Sequence, residues 1–229
     1  MLGGMRSHGL RGYSFGARWY DRLSGERLVY RLGREAGVAQ LGLQPGERVL
    51  DVGCGTGLNF ALLFDAVGRS GAVVGIDMSA PMLARARARI SRRRWSNVRV
   101  VRGDAGGLSE AVGPQDSFDA VVFTYSLSII GEWRAAFEQA VAMLVPGGRV
   151  SVVDMALPTG RWRALAPLAR LACFMGGADP ARAPWQLVTQ QLDGVSHIVV
   201  RGGHIHAVVG CAPATAPPSA DTGMSGVTR

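Results

Sequence analysis

The stretch Val49-Leu50-Asp51-Val52-Gly53-Cys54-Gly55-Thr56-Gly57-Leu58-Asn59 constrains this chain more than any other. The apolar run Arg48 to Val52 reads as a buried strand. It breaks into glycines at alternate positions, and the helical run Phe60-Ala61-Leu62-Leu63-Phe64 follows. Strand, glycine turn and helix in that order form the opening unit of a nucleotide-cofactor fold. Glycine suits the turn because a Cβ would obstruct both the tight bend and the close approach of a ligand to the backbone.

The remaining chain supplies the matching parts. Strands are expected at Ala72–Ile76, Val98–Val101, Phe118–Phe123 and Arg149–Asp154, with helices between them at about Ser79–Arg93 and Glu132–Leu144. Ser79 is placed to cap the first of these helices, with Pro81 in its opening turn, and Pro146-Gly147-Gly148 reads as a stop after the second. Strands alternating with helices imply a parallel sheet covered on both faces. After Asp154, helices are expected at Arg161–Met175, where Pro167 would introduce a kink, and at Pro184–Leu192. The short strands Ser196–Val200 and His204–Val209 follow, joined only by Arg201-Gly202-Gly203, a link that permits nothing but an antiparallel hairpin. The fold class is therefore α/β: a Rossmann-like seven-stranded sheet of five parallel strands plus a C-terminal antiparallel hairpin, with helices on both faces. Residues 1–12 are expected to form a flexible arm and residues 13–211 one domain, with a cofactor half at about 45–155 and an acceptor lid at about 156–195. Ser14–Leu43 is helical in character, weakened at Gly25 and Gly33, and residues 212–229 read as a disordered tail.

A length of 229 residues and 48% apolar content suit one sizeable domain. No run approaches the roughly 20 apolar residues of a membrane span, and Met1–Gly12 lacks the apolar centre of a signal peptide, so a cytoplasmic protein is expected. The three cysteines, at 54, 173 and 211, have no metal-ligand spacing and argue against a disulfide framework. Every basic residue is arginine. Eight arginines and no acid fall between Met78 and Gly103, a face that reads either as solvated helix or as a contact for an anionic partner.

Acids recur at the carboxyl ends of expected strands: Asp51, Asp77 and Asp104. That edge of an open α/β sheet is where ligands bind. Asp77 follows Gly57 by the spacing at which an acid reaches a ribose hydroxyl pair, and a carboxylate can accept both hydroxyls of a vicinal diol. Dinucleotide sites use a Gly-x-Gly-x-x-Gly turn and P-loops a lysine, and neither is present. An acid-lined pocket would repel a pyrophosphate, but it suits a phosphate-free cofactor with positive centres, and S-adenosylmethionine fits.

Val49 to Gly57, Gly75-Ile76-Asp77-Met78-Ser79, Gly103-Asp104-Ala105 and Leu144-Val145-Pro146-Gly147-Gly148 resemble the successive motifs of class I S-adenosylmethionine-dependent methyltransferases. The resemblance covers about residues 45–210, the last part by topology. It implies that Asp51 and the backbone of Gly53 and Gly55 hold the methionine end, with Cys54, Thr56 and Gly57 completing the turn. Asp77 would bind the ribose hydroxyls, and Met78 would pack on the adenine. Asp104 and the Ala105 backbone would meet the adenine edge, Thr124 would lie beside the sulfonium, and Tyr20 would close over it. Asp154 is the candidate general base, needed only for a protonated nucleophile; a structural strand-end acid is the alternative. His197, His204 and His206 invite a metal reading, but without an accompanying carboxylate or cysteine ligand no metal is assigned.

No Asn-Pro-Pro-Tyr-like sequence follows the fourth strand and no Pro-Cys occurs, which disfavours nucleic-acid base methylation by those chemistries. The segment Arg161–Leu171 combines apolar residues, tryptophan and flanking arginines in the manner of an interfacial helix. A small-molecule or lipid acceptor is expected, apolar or membrane-borne in preference, with peripheral contact to an anionic membrane. The chain is similar overall to quinone C-methyltransferases and bacterial phosphatidylethanolamine N-methyltransferases. The alternatives are an RNA methyltransferase using the arginine face and a non-catalytic S-adenosylmethionine-binding protein. The acceptor's identity and the oligomeric state are not written in the sequence.

Overall fold

The computed structural model describes residues 30–113 and 116–214. The arm at 1–12, the helical stretch before Tyr30 with Tyr20 in it, and residues 215–229 of the tail lie outside the described residues. Strands β1 (Arg48–Val52), β2 (Ala72–Asp77), β3 (Val98–Arg102), β4 (Phe118–Thr124), β5 (Leu144–Met155), β6 (Asp193–Val200) and β7 (Ile205–Cys211) form one sheet in the order β3-β2-β1-β4-β5-β7-β6. The first five are parallel to their neighbours, and β7 runs antiparallel to both β5 and β6. The chain thus forms the seven-stranded, Rossmann-like α/β sheet expected of it. Strand order reverses between β1 and β4, so the crevice outside their carboxyl ends is the topological switch point.

Helices α1 (Arg31–Gln40), α2 (Phe60–Val67), α3 (Ala80–Arg93), α4 (Leu108–Val112), α5 (Trp133–Ala142), α6 (Ala166–Gly176) and α7 (Gln186–Gln191) accompany the sheet. Both sheet faces are covered, which is why the strands are apolar at consecutive positions rather than alternating. Leu50, Val74, Val121 and Val150 turn to one side, under Leu108 of α4, Phe137 of α5 and Val188 of α7. Val49, Val73 and Ala120 turn to the other, against Val38 of α1, Phe60 and Leu63 of α2, and Leu83 of α3. Asp51, two residues beyond Val49, shares that second face.

Several local expectations are corrected. Gly33, expected to weaken its helix, lies inside α1 where the helix backbone rests on the sheet. A Cβ there would fall 2.3 Å from the Tyr125 hydroxyl and 2.6 Å from Ile205 Cγ2. Pro146-Gly147-Gly148 does not precede the fifth strand but lies within it: Leu144 pairs with Phe118, residues 145–148 bulge out, and pairing resumes at Arg149. Ala212 and Pro213, grouped with the tail, hydrogen-bond back to Gly148 and Gly147 of that bulge. The 3-10 turn Ala105–Gly107 and α4 were not expected, being too short to show periodicity. The lid helix expected at Arg161–Met175 is a 3-10 turn, Gly160–Leu165, followed by α6. Pro167 therefore falls in the first turn of α6, where its missing N–H breaks no bond, and not mid-helix, where it would kink the chain. Finally, α3 runs back from the end of β2 to the start of β3, placing Arg92 and Arg93 at the amino edge of the sheet. The segment after β5 leaves from the carboxyl edge in the other half of the sheet, so Arg92 and Arg93 do not share a surface with the lid.

Candidate functional site

The glycine turn is tied to the end of β2, since the amides of Gly53 and Cys54 both donate to the Ile76 carbonyl, at 2.9 and 3.0 Å. Gly53, Gly55 and Gly57 all have positive φ, at 71°, 54° and 75°. Space around Gly55 is open, with no atom within 4 Å of where a Cβ would stand. Its left-handed backbone, not crowding by the protein, is what demands glycine there. Cys54 is buried beneath the turn, its thiol pushed well above the ordinary range by desolvation and then by the charges of Asp51 and Asp77. Thr56 is buried as well, and its carbonyl accepts from Arg89 Nε of α3 at 3.0 Å.

Beside the turn lies a buried polar network. Asn59 stands at the N-cap of α2, yet its side chain does not cap. Its amide nitrogen donates to Asp51 Oδ1 at 2.8 Å and to Thr124 Oγ1 at 3.2 Å, while its oxygen accepts from Arg34 Nη1 at 2.7 Å. These partners fix the orientation of the amide. Asp51 is 1% exposed, and among the described residues its Oδ2 has no hydrogen-bond partner. Burial lifts its pKa to about 7, against the pull of Asn59 and Arg34 and with a push from Asp77. Sequence reasoning missed Arg34 and Asn59 as site residues. Asn59 was adjacent to the motif, but nothing in the sequence ties Arg34 to a turn more than fifteen residues downstream.

Asp77, at the end of β2, accepts from the Gly55 amide through Oδ2 at 2.9 Å and from the Ser79 amide through Oδ1 at 2.8 Å. Each oxygen retains a lone pair. Asp104 caps the 3-10 turn through Oδ1, which accepts from the Gly106 amide at 2.9 Å, and Ala105 behind it is buried. Met78, half exposed, lines a shallow depression with Arg102, Gly103 and Asp104. Read across the sheet, the strand ends carry Asp104, Asp77, Asp51 and Thr124 in that order, so the fold brings together residues more than seventy positions apart.

The loop after β4 closes the row. Tyr125 has φ +55°, strained for a side chain of its size. Its amide donates to the Val153 carbonyl at 2.7 Å and its hydroxyl to the Tyr30 carbonyl at 2.8 Å. The two tyrosine rings meet edge to face at 5.1 Å, and the Arg34 guanidinium lies 5.7 Å from the Tyr125 ring centre. Asp154, in β5, is wholly buried. Its Oδ1 accepts from Ser128 Oγ at 2.7 Å and the Met155 amide at 2.8 Å, and its Oδ2 from the Ser128 amide at 2.9 Å. Desolvation raises its pKa to about 6 despite those donors.

The three histidines separate into two settings. His204 precedes β7 rather than lying in it, and Nδ1 donates to the Ala156 carbonyl at 2.6 Å. His206 donates from Nε2 to the Gly203 carbonyl, which leaves Nδ1 to accept from His197 Nε2 at 2.9 Å. Its ring stacks on Trp185 at 4.2 Å, and burial, then the neighbouring His197, lower its pKa. Among the described residues no group of three or more His, Cys, Asp or Glu is placed to hold a metal ion, and no helix is long and apolar enough to cross a membrane.

Residues 49–148 match the family described as a methyltransferase domain. The chain is 34% identical over 141 residues to the 2-phytyl-1,4-naphtoquinone methyltransferase of Thermosynechococcus vestitus, covering 61% of this chain and 60% of that one. It is 33% identical over 113 residues to the arsenite methyltransferase of Halobacterium salinarum, covering 49% of this chain and 28% of that one. The chain thus spans well under two thirds of the length of these curated relatives. In fold it is similar to a SAM dependent methyltransferase from Aquifex aeolicus, with a TM-score of 0.59 at 19% identity over 86% of this chain and 96% of that one.

Proposed function

We propose, for a chain whose residues 49–148 match the methyltransferase domain family, that it transfers a methyl group from S-adenosylmethionine to a small-molecule acceptor, apolar in preference. One observation carries the reading: a row of strand-end acids at the switch point, beside a glycine turn open at Gly55, with Asp51 Oδ2 buried and without a partner among the described residues. A buried carboxylate oxygen lacking a donor is costly by itself and suits an incoming ammonium. Asp77 has a lone pair on each oxygen for the two ribose hydroxyls. Gly53 and Gly55 would offer backbone to the methionine end, on a turn shaped by Cys54, Thr56 and Gly57. Met78, Asp104 and Ala105 would hold the adenine, and Thr124 would stand beside the sulfonium. When bound, the cofactor supplies a methyl group already activated on sulfur. The chain's own task is then to orient the acceptor and exclude water, with the cofactor half at about residues 45–155 and the acceptor lid at about 156–195.

Asp154 acts in this reading on the loop after β4 and not on the acceptor, because it is fully buried and both its oxygens accept from Ser128 and Met155. An apolar acceptor is favoured over arsenite. Trivalent arsenic seeks thiolates, whereas Cys54, Cys173 and Cys211, all among the described residues, join no ligand group. Tyr30, Tyr125, Ile129 and Met155 pack with Ala178 and a single cysteine, Cys173, in an apolar cluster that adjoins Thr124 through Tyr125.

Calorimetry tests the cofactor assignment. Asp77→Ala is expected to raise the Kd for S-adenosylmethionine about 10- to 100-fold, the loss of two charge-assisted bonds; wild-type affinity would remove Asp77 from the site. Incubation of the enzyme with methyl-labelled cofactor and lipid, polar and RNA extracts tests the acceptor. Label in an apolar product is expected. Label in RNA alone, or none with cofactor still bound, would overturn the acceptor reading or the catalytic one respectively.

A further inference from the structure

We propose that the outer face of the segment Gly160–Gly176 docks on an anionic phospholipid bilayer, and so delivers the site to a membrane-borne acceptor. The docking deepens the apolar-acceptor reading and rests on it, although it can be measured without turnover. Trp162, Leu165, Leu168 and Leu171 are 44%, 47%, 65% and 54% exposed, a dense apolar run within ten residues of chain. Isolated exposed leucines are ordinary; four large apolar groups in one short segment form a patch that water disfavours.

Among the described side chains of the same segment, two face inward and are committed to the core. Ala169 and Cys173 are buried, and Cys173 packs with Met155 and Ala178 against Tyr30, Tyr125 and Ile129, the cluster that adjoins Thr124 through Tyr125. The outer leucines are therefore not waiting for a place in the core. The segment is also held in position. The Thr159 amide donates to the Gly202 carbonyl at 3.0 Å, and the Trp162 ring lies directly on the Gly202 backbone. Trp162 is thus a fixed, half-exposed aromatic at the rim of the patch, the setting in which tryptophan serves at a membrane interface.

Charge selects the occupant. Arg161, Arg163 and Arg170 are exposed, and no acid occurs from Ala156 to Ala178. Arginine beside apolar side chains suits a lipid surface, where the guanidinium meets a phosphate while the aliphatic groups enter the acyl boundary. A second copy of this chain would bring like charges together across a two-fold axis, with no acid in the segment to offset them. Arg92 and Arg93, at the end of α3, stand at the opposite edge of the sheet and would face away from the bilayer.

The full chain is sedimented with phosphatidylcholine vesicles with and without phosphatidylglycerol, alongside two double variants. Wild type is expected to bind the anionic vesicles, less as salt rises. Leu168→Gln with Leu171→Gln should weaken that binding about tenfold while leaving S-adenosylmethionine affinity by calorimetry as in wild type. Arg92→Gln with Arg93→Gln should leave vesicle binding intact. Absence of wild-type binding, or loss of binding only in the α3 variant, would overturn the proposal. So would light scattering showing a wild-type dimer that the leucine variant splits. Loss of cofactor binding by wild type would sink the methyltransferase reading instead, so the two failures are distinguishable.

Discussion

Asp51 and Asp154 are both buried acids near strand ends, and their partners set them apart. Asp154 accepts three hydrogen bonds, with a donor on each oxygen, whereas Asp51 accepts one from Asn59 and its Oδ2 has no donor among the described residues. A buried acid with its donors in place needs no further partner, and one lacking a donor calls for an explanation, which in the proposed function is the cofactor ammonium. Asp154→Ala should destabilise the protein by about 2–4 kcal/mol in urea denaturation, because it strands the Ser128 and Met155 donors in the interior. Asp154→Asn, which still offers an oxygen, should retain most turnover; its loss at near-normal stability would instead make Asp154 the general base. The sequence marked both acids by their place at strand ends. It could not distinguish them, because Ser128 and Asn59 reach them through the fold.

At the scale of elements, α1 is held by what its glycines lack. Gly33 brings the helix backbone against Tyr125 and Ile205, and Gly37 lies so close to Val153 that a Cβ would come within 2.2 Å of Cγ2. Alanine is the better helix former by about 1 kcal/mol, but here the clash outweighs propensity. Gly33→Ala should therefore lower stability by about 1–3 kcal/mol in thermal unfolding. Because Tyr125 directly follows Thr124, it should also weaken S-adenosylmethionine binding in calorimetry, and a variant as stable as wild type would show that α1 has room to shift. The longer strands and helices were legible in the sequence because their apolar periods extend over enough residues to register. The five-residue α4 was not, and Pro146-Gly147-Gly148 misled because turn residues serve equally in a bulge.

For the whole molecule, the two acids make stability depend on pH. Both folded pKa values lie above the ordinary 3.8, at about 7 for Asp51 and about 6 for Asp154. The folded state then holds protons that the unfolded chain releases, so their stabilising effect is complete below about 3.8 and is lost as pH rises through about 6 and then 7. For Asp51 the full loss is on the order of 4 kcal/mol. The ligand-free protein should therefore melt at a lower temperature at pH 8 than at pH 5, with a shallower decline in Asp51→Asn. A cofactor ammonium beside Asp51 favours the charged form, so S-adenosylmethionine should raise the melting temperature more at pH 8 than at pH 6. Equal slopes in wild type and variant would remove Asp51 as the cause.

By itself the sequence determined the strand–glycine turn–helix unit, the alternation that makes a parallel sheet, the antiparallel hairpin and the acids at strand ends. These are local properties, set by side-chain period, by backbone freedom at Gly55 and by the shortness of Arg201–Gly203. Only the tertiary structure decided which strand lies beside which, and hence that Asp104, Asp77, Asp51 and Thr124 stand in one row. It also decided that Arg34 and Asn59 complete the surroundings of Asp51, and that Arg92 and Arg93 lie at the edge of the sheet opposite the lid. Burial, partner and direction are properties of contacts between distant residues, and no periodicity along the chain encodes them.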